Sequence, residues 1–446
     1  MSKETFTYGS GRTDSFLYFH IVMIKNLYNI YLQHPEICID TRKINQNCLF
    51  FALKGPNFNA NEFAIQALEK GASHAIVDEE KYVLDDRYIL VDDCLKTLQE
   101  LSNYHRKQLN CKILGITGTN GKTTSKELCL QVLKQKFKTI ATTGNLNNHI
   151  GVPLSLLSIR TDTEFAIIEM GANHIGEIEF LCSLAEPDCG VITNVGKAHL
   201  EGFGSLEGVL QTKTELYRYL AKNNAPVFIK DNHQILIEKI PSSCPTISYG
   251  QLNNSSCNIR YKEAQPFVKV AVDNVEIQSQ LIGDYNFDNI ALSIAVGMEF
   301  GIGIKDIKQA IESYVPTNNR SQLIKTDSNT ILLDAYNANP MSIEKAIHNL
   351  ANIEHPNKVM ILGDMFELGE ETNKEHINII NHCLNSGITD VRFVGGIFNA
   401  LNKTTYEAYE NTNALIEQLK KQRITDAFIL IKGSRGMKLE QIVEHL

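Results

Sequence analysis

Lys122 and Thr123 close the run "GITGTNGKTT", residues 115–124, in which small residues crowd around a lysine and two threonines. A phosphate-binding loop G-x-x-x-x-G-K-[ST], anchored on Gly121-Lys122-Thr123, asks for glycine at 116, where Ile116 stands; the nearest glycines are Gly115 and Gly118. Two readings are open: a variant phosphate cradle, or a turn rich in small residues. In the first, the amides of Gly118, Thr119, Asn120, Gly121 and Thr124 surround an anion. Lys122 adds a point charge and Thr123 a hydroxyl that could ligate Mg²⁺.

Other residues could share in such chemistry. Glu169 ends the apolar run "FAIIE", where a carboxylate could hold Mg²⁺ or simply accept loop amides. "ITNVGKAHLEGFGS" carries His199 and Glu201, a histidine that could be a ligand or structural. Lys213 lies in "VLQTKTELYRYL", where a helix lysine by default faces water. Three polar runs follow further on: "DAYNANPMS" (334–342), "GDMFELGEET" (363–372) and "KGSRGMKLE" (432–440).

The phosphate reading requires a strand before the loop and a helix after it. "KILGIT" is short, apolar and β-branched, and "TTSKELCLQVLKQKF" places Leu128, Val132, Leu133 and Phe137 at helical spacing, so both are supplied. Upstream, "CLFFAL", "HAIVD" and "RYILV" with the helix "ANEFAIQALEKGA" predict a small α/β domain over 23–105; residues 1–22 show no sustained period and read as a dispensable extension. Residues 106–314 alternate strands ("FAIIEM", "GVITNV", "APVFIK") with helices, predicting a largely parallel sheet with a β-rich addition at 257–282. From 315 to 446 the strands "TILLDAY", "KVMILGD", "DVRFVGG" and "AFILIKG" predict an open α/β domain. Its polar loops should share one sheet edge, where ligands bind in such folds.

Composition narrows the class. A formal net charge of −8, with 43 Lys+Arg against 51 Asp+Glu, lacks the basic footprint of a nucleic-acid binder. Ten scattered cysteines without a C-x-x-C pair, and no apolar run of membrane-span length, describe a reduced, soluble, cytoplasmic chain with no membrane partner. Nothing in the sequence demands an oligomer, so a monomer is expected.

"GITGTNGKTTSKE", "TTGNLNNHIGVP", "EMGANHIGEI", "TNVGKAHLEGFGS", "TKTELY", "GDYNFDN", "DAYNANPMS", "LGDMFELGEE" and "KGSRGMKLE" together resemble the Mur ligases of peptidoglycan synthesis, in order from Met23 to the C-terminus. The extra spacing of the phosphate loop is a trait of that family. The resemblance implies three domains: uridine-nucleotide binding, central ATP binding and C-terminal Rossmann-like. It also implies ATP held by the loop, Mg²⁺ on Thr123 and Glu169, and a second Mg²⁺ on His199 supported by a carbamylated Lys213. Asn286, Asn289, Arg320 and Asp334 match nucleotide-contacting positions, with Arg320 reaching the γ-phosphate. "DTRKINQNCLFFALKG" matches the uridine motif through Thr41 and Arg42, with threonine in place of serine, whereas Asn59, Ala60 and Asn61 replace an Asp-Gly-His run.

"NANP" at 337–340, in place of the D-N-P-R of relatives that add diaminopimelate, together with "GNLNNHIGVP" (Asn145, Asn148), resembles the members that add D-alanyl-D-alanine to UDP-N-acetylmuramoyl-tripeptide through an acyl phosphate. Asn337, Asn339 and Arg435 are then candidates for the dipeptide. Closure of the domains would assemble the site and exclude water. A folylpolyglutamate-synthase-like ligase would leave the uridine-type domain without purpose. A non-catalytic sensor of the muramyl precursor would not need Lys122, Glu169, His199, Lys213 and Arg320 intact.

Overall fold

A computed structural model describes residues 11–197 and 200–446, with side-chain surroundings from residue 22 onward except at 198–200. The chain forms two compact units. One takes the chain up to Ile113 with Thr142–Ile168 and Phe180–Glu186; the other takes Leu114–Ala141, Glu169–Glu179 and Pro187–Leu446.

In the first unit four parallel strands lie in the order Ile37–Cys38, Leu49–Phe51, His74–Val77, Tyr88–Leu90. The last three are the expected strands. The first helix, Gly11–Gln33, crosses the boundary expected at residue 22: "FLYFHIVMI" is apolar on every side, so it lacks a helical period, yet no proline interrupts it. Leu27, Tyr28 and Tyr31 of this helix join the buried core with Phe50, Ile76 and Leu101. The Tyr31 hydroxyl donates to the Leu157 carbonyl at 2.6 Å.

In the second unit five neighbouring strands of a seven-stranded sheet run parallel in the order Cys257–Asn258, Thr246–Gly250, Val227–Lys230, Cys189–Ile192, Lys112–Thr117. Ile192 pairs with Thr117, so these two central strands finish side by side and their loops emerge together. The β-rich addition is a three-stranded antiparallel sheet, Arg260–Ala264, Phe267–Val272, Val275–Ile282; Cys257–Asn258 belongs to the parallel sheet instead.

The C-terminal sheet has six strands in the order Gln322–Lys325, Asn329–Asp334, Ala427–Lys432, Lys358–Gly363, Asp390–Val394, Glu407–Tyr409, parallel apart from the first. The strands that precede the three polar runs are therefore adjacent. Asp334 and Leu362 both pair with Lys432, which brings the three loops to one edge as expected. All ten cysteines are free and buried. Among the described residues no helix is long and apolar enough to cross a membrane.

Candidate functional site

The strand Lys112–Thr117 ends in a glycine loop that opens the helix Lys122–Leu133, the geometry the phosphate reading requires. Gly118 has φ 141°, and a Cβ there would lie 2.0 Å from Thr193 Oγ1; Gly121, with φ 79°, would place one 2.5 Å from Asn289 Oδ1. Only glycine fits at either position. The loop is braced from the neighbouring strand end. Thr119 N–H donates to the Asn194 carbonyl (2.9 Å), Asn120 N–H to Asn194 Oδ1 (3.0 Å), and Thr193 Oγ1 to the Asn120 carbonyl (2.6 Å). Lys122 Nζ donates to the Gly118 and Thr119 carbonyls, folding over the loop. Burial lowers its pKa, opposed by the charge of Glu169 and reinforced by that of Arg320. Thr124 is half-buried in the first turn of the helix.

Thr123 Oγ1 donates to Glu169 Oε2 at 2.9 Å, both residues being buried. A hydroxyl and a carboxylate in contact at the foot of the loop form a hard-oxygen pair of the type Mg²⁺ prefers. Lys213, the last residue of the helix Leu206–Lys213, is only 3% exposed, which corrects the default of a solvated lysine. Among the described residues its Nζ meets the ring of Phe203, 5.5 Å from the centroid. Burial, with the charge of Lys122, lowers its pKa to about 7. His199 lies outside the described residues, and Glu201 sits in a short helix, Leu200–Phe203.

Asn286 and Asn289 are buried, and Asn289 lies against Gly121 of the loop. Asn289 accepts from Ser125 Oγ (2.9 Å) and donates to Asn286 Oδ1 (2.8 Å), while Asn286 donates to the Ile282 carbonyl (2.8 Å). Through this buried network the two amides support the phosphate-loop helix. Asp334 is likewise engaged, by Lys432 Nζ and by the Ser321 amide (3.2 Å). Asn339 caps the helix Pro340–Asn352: its Oδ1 accepts from Ser342 N–H (3.0 Å) and its Nδ2 donates to Asn120 Oδ1 (2.7 Å). Asn339 is thus a cap that ties the C-terminal part to the phosphate loop. Lys197 Nζ adds a second tie, 2.7 Å from Glu375 Oε1. Asn337 is exposed, its Oδ1 accepting from Ala338 N–H (2.9 Å). The guanidinium of Arg320 lies over the Tyr336 ring, 3.6 Å from its centroid, and the exposed Arg435 lies over the same ring at 4.8 Å.

In the first unit Thr41 opens a short turn, Thr41–Lys43, and Arg42 is exposed and paired bidentately with Asp40 (2.9 and 2.8 Å). Hydrogen bonding by Arg42 holds the Asp40 carboxyl down to about 2. Asn59 caps the turn Ala60–Phe63, accepting from Asn61 N–H at 3.1 Å, and the buried Asn61 donates to Asp78 (2.8 Å). Asn145 is exposed, as is Asn148, whose Oδ1 receives the amides of Ile150 (3.1 Å) and Gly151 (2.9 Å).

Residues 116–297 match the Mur ligase middle domain and residues 319–435 the Mur ligase, glutamate ligase domain. The chain is 34% identical to the UDP-N-acetylmuramoyl-tripeptide–D-alanyl-D-alanine ligase of Bacillus subtilis, covering 92% of each chain. The chain belongs to the Mur ligase family. The Escherichia coli protein of the same description is 33% identical over 92% of this chain and 93% of its own. Among solved structures, the MurF ligase of Thermotoga maritima in complex with ADP superposes with a TM-score of 0.81 at 26% identity, covering 92% of this chain and 96% of that one.

The fold of this Mur ligase is the three-domain α/β architecture the motifs implied. Asn194 and Tyr336 stand within the motifs, but nothing in the sequence gives either a part. Asn194 could have been found from the pairing of two parallel strand ends; Tyr336 has no signal in its own spacing, because both of its cations come from other loops.

Proposed function

We propose that this Mur ligase couples ATP cleavage to amide formation, joining the free amine of D-alanyl-D-alanine to the terminal carboxylate of UDP-N-acetylmuramoyl-tripeptide. The full-length similarity to relatives of that description carries the reading, and the likeness to an ADP-bound structure supports the nucleotide. A carboxylate is a poor electrophile with a poor leaving group. Its attack on the γ-phosphate breaks the bond to the β-phosphate, releasing ADP and giving an acyl phosphate; the neutral dipeptide amine then attacks the carbonyl carbon, expels phosphate and gives up a proton to solvent.

The loop amides and Lys122 bind the triphosphate. Thr123 and Glu169 fit one Mg²⁺ through their paired oxygens, and His199 with Lys213 would serve a second. When bound, Mg²⁺ offsets the repulsion between the substrate carboxylate and the triphosphate. An ammonium at Lys213 would repel that ion, whereas a carbamate formed with CO₂ supplies carboxylate-like oxygens. A deeply buried amine beside Phe203 supports this modification, since carbamate forms on a neutral amine. Arg320 faces the γ-phosphate, Arg435 and Asn337 the dipeptide, and Thr41, Arg42, Asn145 and Asn148 the UDP-tripeptide. Ten buried thiols without a disulfide suit the cytoplasm.

Phosphate release that requires ATP, UDP-tripeptide and D-alanyl-D-alanine together is the expected result. Release with glutamate in place of the dipeptide, or none with all three, would overturn the reading.

A further inference from the structure

One aromatic ring in the second unit carries two cations. The guanidinium carbon of Arg320 lies 3.6 Å from the Tyr336 centroid, the separation of a stacked contact, and that of Arg435 lies at 4.8 Å. The two arginines come from different loops, one before the strand Asn329–Asp334 and one after the strand Ala427–Lys432, so neither orders the other through the backbone. Like charges on a shared ring repel, and the arrangement is most favourable when each guanidinium also meets an anion. Arg320 Nε is buried without a hydrogen-bond partner among the described residues, which leaves donor capacity unused. Tyr336 is itself fixed: its N–H donates to the Asn319 carbonyl at 3.2 Å, next to Arg320, and Ala335 and Ala338 on either side are buried. A ring with two side-chain torsions so anchored holds a cation at little entropic cost.

We propose that Tyr336 is a positioning residue for the ligation step, holding Arg320 and Arg435 at a fixed spacing so that the phosphate and the carboxylate of the incoming dipeptide are bound in register. This rests on the proposed roles of the two arginines. The charge of Arg320 is felt at Lys122, so the ring supports a cation that lies within electrostatic reach of the phosphate loop. The tyrosine hydroxyl has no part in this, and the ring face carries the effect.

The test replaces Tyr336 by phenylalanine and by phenylalanines bearing one, two and three ring fluorines, which drain the ring face of negative potential at nearly constant volume; Tyr336→Leu removes the ring. Two readouts are followed on the full chain: KM for D-alanyl-D-alanine, and the ratio of equilibrium affinities for ATP and ADP, which reports the γ-phosphate contact. Tyr336→Phe should stay within about twofold of wild type. Successive fluorines should raise the dipeptide KM and lower the ATP/ADP ratio stepwise, and Tyr336→Leu should change each by about tenfold, the scale of a partly desolvated cation–π contact. In an Arg320→Ala background the same series should no longer move the ATP/ADP ratio. A flat fluorine series, equal effects of Phe and Leu, or full additivity with Arg320→Ala would overturn the role of Tyr336. An unchanged ATP/ADP ratio in Arg320→Ala alone would instead overturn the γ-phosphate role of Arg320. The fluorinated variants keep the ring, so the answer does not depend on the leucine variant folding.

Discussion

The phosphate loop and the "DAYNANP" loop both leave parallel strand ends in the second unit, yet they are built on different physics. In the first, backbone amides form the cradle, and Thr193 and Asn194 of the adjacent strand end brace it through hydrogen bonds of 2.6–3.0 Å. In the second, arginine side chains rest on a ring, with a buried guanidinium nitrogen left without a hydrogen-bond partner among the described residues. A backbone cradle is specified by local sequence, because glycine and a strand–helix junction dictate it. A side-chain cradle is specified by which loops the sheet order brings together, and so only the folded chain reveals it.

If the first region is the engine of phosphate chemistry, Lys122→Ala should cost the most: about 10³-fold in kcat, on the scale of losing a principal group that stabilises developing charge, with an unaltered circular-dichroism melt. Near-wild-type turnover would erase the distinction between the two regions. Lys213→Ala should lose roughly 10²-fold, comparable to removing a group that supports a catalytic metal, with partial recovery in acetate and none in Lys213→Arg. Full activity of Lys213→Arg would return Lys213 to a structural part.

The same lysine has a pH signature in bicarbonate-free enzyme. Its folded pKa of about 7 lies below the ordinary 10.5, so the unfolded chain binds more protons between these values and stability rises with pH across that window. Lys213→Met should therefore be more stable than wild type by a margin that is constant below pH 7 and shrinks above it, as read by urea midpoints.

Asn339→Ala sharpens the comparison by cutting the link between the regions. Loss of an asparagine cap costs about 1 kcal/mol of stability, and the Asn120 contact goes with it. KM for ATP should rise severalfold and that for the dipeptide should move less; the reverse pattern would assign Asn339 to the dipeptide site. The smallest effect is expected from starting the chain at Met23. The described core contacts of the first helix begin at Met23 and Leu27, so turnover should stay within about twofold while the melting temperature drops by a few degrees, on the scale of a modest loss of stability. A loss of turnover would place the leading half of that helix within the working enzyme.

Much of this was legible in the sequence. The strand, glycine loop and helix at 112–133 were read from apolar runs and glycine spacing. The shared edge of the three C-terminal loops followed from parallel strands separated by helices. The rest was hidden for separate physical reasons. The position of Lys213 at the end of a short helix does not disclose its burial, which depends on the elements packed over it. The buried hydrogen-bond network of Asn286 and Asn289 reaches Ser125 through the fold, so it has no signal in local spacing. The cap at Asn339 is legible: asparagine followed by proline at the head of a helical run is a capping signal.

The ten buried thiols give the molecule a built-in clock. A reagent that modifies only exposed sulfur can reach Cys38, Cys48 or Cys94 when the first unit opens, and Cys129, Cys189 or Cys383 when the second does. Where reclosing outpaces modification, the labelling rate measures the opening free energy at each position. Saturation with ATP should then slow modification of Cys129, which is carried by the helix that begins at the phosphate loop, by the factor that binding adds to stability. Catalysis and breathing would be read from the same residue, with no probe added to the chain.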